Sequence, residues 1–121
     1  MNKHTVRFVV SLNINDGKRD AFEVIAQAMI AASREESGTL GYDWYLSGDR
    51  KSCRLVETYA DASAVLAHMT GPAVKDLVPK LIKVSSVRGF EVHGDPGAKA
   101  AEILAGFGAE IFNEWHVLAP D

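Results

Sequence analysis

The sequence has few of the residues and segments that mark exported, disulfide-stapled or membrane-bound proteins. Among its 121 residues there is one cysteine, Cys53, which excludes an intramolecular disulfide and a multi-cysteine zinc site. A lone thiol is typical of a reducing compartment, so we expect a cytoplasmic protein. The apolar run at residues 6–10 is too short for a signal peptide, and no uncharged apolar stretch approaches the roughly 18 residues of a membrane span. We therefore expect a soluble protein without a membrane partner.

Strong charge of one sign is also lacking. The chain has 13 Lys and Arg against 16 Asp and Glu, a net charge of -3, and no basic run, so no nucleic-acid partner is expected. The signature motifs of phosphate loops, dinucleotide-binding folds, zincins and serine hydrolases are absent. The four histidines are far apart and none has a histidine partner four residues away, so the sequence predicts no metal site.

What the chain does contain is enough apolar surface for one folded domain. Hydrophobic residues make up 47% of it and charged residues 24%, the proportions of a globular protein. A chain of this length buries roughly two thirds of its unfolded surface and needs no staple. We expect a single domain over residues 1–121.

The first third of the chain predicts a strand followed by a helix. Residues 5–14 are rich in β-branched and aromatic side chains and run into a turn cluster at 15–17. From Lys18 the apolar residues take the i, i+3, i+4, i+7 spacing of a helix with one buried face. Asp16 is expected to cap its start and Gly38 to end it in the left-handed conformation.

The remaining pattern predicts three more strands, a broken helix and an extension. Residues 40–47 and 52–59 flank a polar turn and predict a hairpin. A helix follows, capped by Asp61 and broken at Gly71–Pro72, and 85–93 form a fourth strand. The fold class is therefore α+β, a ferredoxin-like split βαβ in the order β-α-β-β-α-β, with an antiparallel sheet and two helices on one face. Beyond the turn at 94–97 we expect a helix at 98–106 and a strand at 109–117.

The strands predict an oligomer as well. Apolar residues alternate through the first strand, which gives that strand one face for the helices. The other face of the sheet is expected to carry Val9, Tyr45, Val56 and Phe90, which need a cover. A second subunit is the simplest cover, so we expect a homodimer whose sheets face each other, with the apolar tail at 111–118 packed on the neighbour.

Two side chains stand out as candidates for proton transfer. His68 precedes the helix break, where an imidazole can act as a base or merely bond the loosened carbonyls. Glu57 lies between Leu55 and Tyr59 on the same face of its strand, so it is expected to be partly buried, either in an ion pair with His68 or Arg7 or with a raised pKa that suits proton transfer.

Aromatic and amide side chains supply candidates for binding a planar ligand. Trp44, Tyr42 and Tyr59 occupy positions compatible with the helix-facing side of the sheet, where they either stack on a ligand or form ordinary core. Asn13 ends the first strand and either orients a carbonyl or belongs to the turn.

Three segments together resemble the antibiotic biosynthesis monooxygenase family of dimeric α+β barrels. They are EESGTLGY at 35–42, ETYAD at 57–61 and AVLAH at 64–68. The resemblance covers about 5–94, which leaves 95–121 as a C-terminal extension. It implies oxygenation of quinols, anthrones or related polyphenols by dioxygen, without flavin, haem or metal.

The resemblance also implies roles for particular residues. Glu57, Tyr59 and His68 match the family pattern as catalytic candidates, with Trp44 and Asn13 as pocket candidates, and the expected partners are a small aromatic substrate and dioxygen. Haem is disfavoured, because no histidine follows His68 before the fourth strand. Two alternatives remain, a non-catalytic small-molecule-binding domain and a cofactor-free isomerase.

Overall fold

Five strands and four α-helices occur within residues 4–118, the part of the chain that the computed structural model describes. The elements are β1 Val6–Ile14, α1 Arg19–Arg34, β2 Thr39–Leu46, β3 Ser52–Tyr59, α2 Ala62–Met69, a π-helical turn Ala73–Leu77, α3 Val78–Val84, β4 Ser85–His93, α4 Ala98–Gly106 and β5 Glu110–Phe112.

The strands form one sheet in the order β2-β3-β1-β4-β5. The first four strands are antiparallel neighbours, and β5 runs parallel to β4. The split βαβ order predicted from the sequence is confirmed, with the addition of the short fifth strand at the sheet edge.

The central strand β1 shows why the helices cover one face. Its alternate residues are buried, and they lie on the face of the sheet that packs against α1, α2 and α3. Alternation along a strand points successive side chains to opposite faces, so the residues between them face away from the helices. The buried set is Val6, Phe8, Val10, Leu12 and Ile14.

Phe90 lies on the helix face, and its expected place on the outer face was wrong. It pairs with Val10 and its ring contacts Phe8. The register of β1 against β4 shifts between Ser11 and Leu12, where an extra residue in β4 changes the face that follows. Simple alternation along the sequence does not show such a bulge.

The two expected ends of α1 were also wrong. Lys18, rather than Asp16, is the N-cap residue, and no side chain caps the helix there. The helix ends at Arg34, and Gly38 has no positive φ. Gly38 is needed for close packing instead, since a Cβ at this position would lie 2.4 Å from the Cβ of Ala64 in α2.

The break predicted in the second helix is confirmed. The carboxylate of Asp61 accepts the Ala64 N–H at 2.9 Å and starts α2. The helix stops at Met69, and after Gly71 and Pro72 the chain makes a π-helical turn before α3. Wide turns of this kind often occur at functional sites, because they displace the side chains that follow.

The C-terminal extension folds back onto the same sheet. Helix α4 is confirmed, and its Ala100 and Leu104 are buried in the core. The expected strand at 109–117 is shorter, only Glu110–Phe112, because its third residue is the last to pair with β4. Within residues 4–118, no helix has the length and apolar character needed to cross a membrane.

Candidate active site

A cavity of about 130 Å³ lies between the helix face of the sheet and the broken helix. Its walls are almost entirely apolar and come from β1, β2, β3, β4, α1, α2, α3, the π-helical turn and the turn after α4. Three lining residues carry polar groups, namely Tyr42, Glu57 and His68. An apolar cavity with a few convergent polar groups is the usual form of a small-molecule site.

Each of the central polar residues is placed by its own element. Glu57 faces the helices because it alternates with Thr58 and Val56 in β3, and it pairs with Phe8 of β1. His68 lies in the last turn of α2, next to the buried Met69. Glu36 follows the end of α1, where the chain turns toward β2 and brings its carboxylate beneath α2.

Glu36, His68 and Glu57 form a continuous row of side chains. His68 Nδ1 lies 2.9 Å from Glu36 Oε1, which also accepts a hydrogen bond from the Thr39 hydroxyl at 2.7 Å. Because a carboxylate has no proton to give, Nδ1–H is the donor and Nε2 is left as the acceptor of the neutral ring. His68 Nε2 lies 3.5 Å from Glu57 Oε1.

Tyr59 extends the row on the far side of Glu57. Its hydroxyl donates to Glu57 Oε1, and its ring lies against His68 with centroids 5.2 Å apart. The ring of Tyr42 also lies against the imidazole, with centroids 5.4 Å apart. The histidine is therefore held by a carboxylate at one nitrogen and by two aromatic rings.

Burial raises the pKa of the carboxyl and phenol groups beside His68. It raises the pKa of Glu57, although the neighbouring His68 and the hydrogen bond from Tyr59 partly oppose this. Burial and the adjacent Glu57 also raise the pKa of both Tyr42 and Tyr59, so both phenols stay protonated. The protonated form of the Glu57 carboxyl is therefore more favoured than in an exposed glutamate.

The structure brings some of the candidate residues together and separates others. Glu57, His68 and Tyr42 line the cavity, and Tyr59 lies behind Glu57. Trp44 packs between Phe22 and Tyr42 and does not line the cavity. Asn13 is exposed on the opposite face of the sheet, where its side-chain oxygen accepts the Ser52 hydroxyl at 3.2 Å.

Sequence reasoning missed Glu36 as a site residue. It is 32 positions from His68 and lies in a charged Glu-Glu pair that resembles ordinary surface. Its atom Oε2 is buried without a hydrogen-bond partner among the described residues, while Oε1 makes the contacts with both His68 and Thr39. The sequence pointed to Glu36 only through the family resemblance, because the first of its three segments, residues 35–42, includes this residue.

The family model for antibiotic biosynthesis monooxygenases matches residues 5–80, well over half of the chain. The chain belongs to this family. The matched segment contains every element that supplies Glu36, Glu57 and His68. No functionally curated protein matches the sequence significantly.

Several solved structures share the fold of this chain. MupZ from Pseudomonas fluorescens superposes with a TM-score of 0.79 at 21% identity, covering 96% of this chain and 94% of its own. SnoaB, a cofactor-independent oxygenase from Streptomyces nogalater, gives 0.67 at 16% identity, covering 78% and 96%. Rv0793 from Mycobacterium tuberculosis gives 0.64 at 25% identity, covering 73% and 89%.

Two other histidines, His93 and His116, do not line the cavity. His93 is exposed and bonds Glu91 at 3.1 Å, and His116 lies against Trp115 in the C-terminal tail. Across residues 4–118, no three or more His, Cys, Asp or Glu side chains are grouped so as to hold a metal ion.

The raised pKa of Glu57 predicts a pH dependence of stability. The pKa of Glu57 is about 4.5 in the unfolded chain, the ordinary glutamate value, and is higher in the folded protein. In the pH window between these two pKa values, the folded state binds more protons than the unfolded state. Stability is therefore greatest below this window and falls as the pH rises through it. Glu57→Gln is expected to flatten the fall, measured as the free energy of urea unfolding at pH 5 and pH 8.

The matched control is Glu110→Gln, since Glu110 is an exposed strand glutamate. It should keep the wild-type slope of stability against pH. An equal slope in Glu57→Gln and wild type would show that Glu57 does not retain its proton on folding.

Proposed function

We propose that this protein is a cofactor-independent monooxygenase or oxidase of a small hydroxylated aromatic, such as a quinol, an anthrone or a similar polyphenol. The observation that carries the proposal is the buried row Glu36–His68–Glu57, two of whose members line an apolar cavity. Membership of the monooxygenase family supports it. The likeness of the fold to SnoaB, a cofactor-independent oxygenase, agrees with it.

The proposed first step is removal of a proton by His68. Nε2 takes the proton from a phenol oxygen or from the acidic methylene of an anthrone, while Glu36 at Nδ1 stabilises the imidazolium that forms. The Glu57 carboxyl, whose pKa is raised by burial, is protonated in this proposed step and donates a hydrogen bond to the oxygen of the resulting anion. Tyr59 holds the Glu57 carboxyl in place through its own hydrogen bond.

The redox step then passes between the anion and dioxygen. An anthrone anion gives one electron to dioxygen, and the radical pair joins to form a carbon–oxygen bond. The peroxide takes the first proton back from His68, which then removes the remaining proton from that carbon as the oxygen–oxygen bond breaks and hydroxide leaves. One oxygen atom becomes the new carbonyl, and the hydroxide takes the second proton from His68 and leaves as water. The methylene group is thus oxidised and dioxygen is reduced by four electrons. The apolar walls of the cavity limit escape of the radical pair from the site.

Tyr42 and Trp44 are proposed to position the aromatic substrate. Tyr42 lies in the cavity wall against His68. Trp44 backs it at a ring distance of 6.0 Å and fixes the orientation of the Tyr42 ring. Edge-to-face aromatic contacts of this kind limit side-chain rotation.

Oxygen uptake by metal-stripped protein tests the proposal. Over a panel of quinols and anthrones, with autoxidation subtracted, uptake should saturate with at least one substrate. Substrate turnover without oxygen uptake would overturn the proposal in favour of a cofactor-free isomerase. Ligand-induced thermal stabilisation with no turnover would overturn it in favour of a binding domain.

We propose further that two copies pair through the open faces of their sheets, in the cytoplasm. The outer face carries Val9, Val56 and the exposed ring of Tyr45, and the tail leaves Trp115 88% exposed. Apolar surface of this extent favours a cover. Sedimentation equilibrium is expected to give twice the chain mass for wild type and mainly monomer for Tyr45→Arg.

Val24→Arg is the control for the dimer, because Val24 is an exposed residue of α1 on the helix side. It should leave the mass unchanged. A monomeric wild type at micromolar concentration would refute the dimer.

A further inference from the structure

The cavity opens to solvent at a mouth formed by three apolar side chains. Of the residues that line the cavity, only Ile82, Val87 and Phe107 are exposed, by 55%, 45% and 43%. They come from α3, β4 and the turn after α4. The polar groups of Glu57 and His68 are buried, so the cavity is polar at its deep end and apolar at the mouth.

We propose that Phe107 selects substrates by an apolar substituent that projects through this mouth. The substrate class is then a hydroxylated aromatic whose reactive oxygen lies at His68 and whose alkyl or similar apolar chain packs on Phe107. This inference rests on the proposed function for the reactive end of the substrate. It goes beyond that function in naming the substituent and the residue that recognises it.

The apolar character of the mouth decides which substituents bind there. A ligand that fills the cavity removes from water any apolar group lying against Ile82, Val87 and Phe107, and this burial favours binding. A charged or strongly polar substituent at the same place would lose water without finding a partner among these three side chains. The mouth therefore discriminates between substituents by their hydrophobicity.

The backbone at Phe107 is anchored by hydrogen bonds, while its side chain is partly exposed. The Phe107 and Gly108 N–H groups donate to the carbonyls of Leu104 and Ala105, and Leu104 is fully buried. Gly108 has a φ of +78°, which allows the chain to turn at once into β5. The ring is thus presented from a fixed point at the edge of the cavity.

Phe107 also lies outside the part of the chain that defines the family. The family match ends at residue 80, whereas Glu36, Glu57 and His68 all lie within it. The proton-transfer row thus belongs to the common segment, and one side of the mouth belongs to the extension. The fold of MupZ covers 96% of this chain, so its match includes most of this extension.

Binding of 4-alkylphenols to the whole protein tests the inference. The probes are phenol, 4-propylphenol and 4-hexylphenol, titrated by calorimetry under nitrogen so that no turnover occurs. For wild type, affinity should rise by about fourfold for each methylene group that is buried at the mouth. In Phe107→Ala, affinity for 4-hexylphenol should fall by about tenfold, while affinity for phenol changes by less than about twofold.

Phe112→Ala is the matched control. Phe112 is also 43% exposed and lies in the same extension, but its ring contacts His93 and does not line the cavity. It should keep the wild-type dependence on chain length. The inference is overturned if Phe107→Ala keeps that dependence, if it weakens all three phenols equally, or if no probe binds wild type.

The same variants separate this inference from the proposed function. Oxygen uptake is measured independently, with wild type and Phe107→Ala on anthrones with and without an alkyl chain. Chain-length selection that depends on Phe107, with no oxygen uptake by wild type on any substrate, would support the substrate class and refute the oxygenase. Uptake without that selection would support the oxygenase and refute the role of Phe107.

Discussion

Replacing His68 with alanine is expected to lower oxygen uptake on an anthrone by about 100-fold or more, the usual contribution of a positioned general base. The imidazole is the one basic side chain that lines the cavity, and its Nδ1 is already bonded to Glu36. Without it, proton removal falls to solvent, which a buried apolar cavity largely excludes. The rate is measured with metal-stripped protein at saturating substrate.

Two further variants make this result interpretable. His93→Ala removes an exposed histidine that bonds only a strand glutamate in the described structure, and it should keep wild-type uptake. His68→Gln retains side-chain bulk and a hydrogen-bond donor for Glu36, so it should fold and still lack activity. Uptake by folded His68→Gln within about threefold of wild type would refute the role of His68 as base.

Replacing Glu36 with glutamine is expected to lower kcat by roughly 100-fold while substrate affinity changes by less than about twofold. An amide oxygen in the place of Oε1 still accepts both the Thr39 hydroxyl and the His68 Nδ1–H. The amide carries no charge to stabilise the imidazolium that forms. Glu36 is a positioning residue in this account, since it acts through His68.

Nitrogen NMR of the imidazole distinguishes positioning from mere structural support. In wild type and in Glu36→Gln the proton of the neutral ring should be on Nδ1, whereas Glu36→Ala removes the acceptor of Nδ1–H and should allow the proton to move to Nε2. Glu35→Ala is the control, because Glu35 is the exposed neighbour of Glu36. An unchanged tautomer in Glu36→Ala together with unchanged kcat in Glu36→Gln would contradict this assignment.

The sequence predicted the fold well wherever one local pattern acts alone. Residues 52–59 and 85–93 form strands with the expected bounds, and Asp61 caps α2 as expected. It failed where a distant contact decides the conformation. Gly38 is required by Ala64 of another helix, and Phe90 changes face at a bulge set by pairing with β1.

The candidate site shows the same division. Glu57 and His68 were predicted from a buried strand position and a helix break, and they lie 3.5 Å apart at the closest nitrogen and oxygen. Glu36 has no such local signal, because its place in the site depends on the turn after α1, which brings its carboxylate beneath α2. Trp44 and Asn13 were suggested by residue type, and neither lines the cavity.

The central claim is that His68 removes a proton from a bound hydroxylated aromatic, and mixing the protein with an anthrone under nitrogen tests it most directly. Without dioxygen the reaction stops at the anion, which absorbs at longer wavelength than the neutral anthrone. The account predicts the anion spectrum with wild type and the neutral spectrum with His68→Gln at equal occupancy, as measured by calorimetry. A neutral spectrum with saturated wild-type protein would contradict the account.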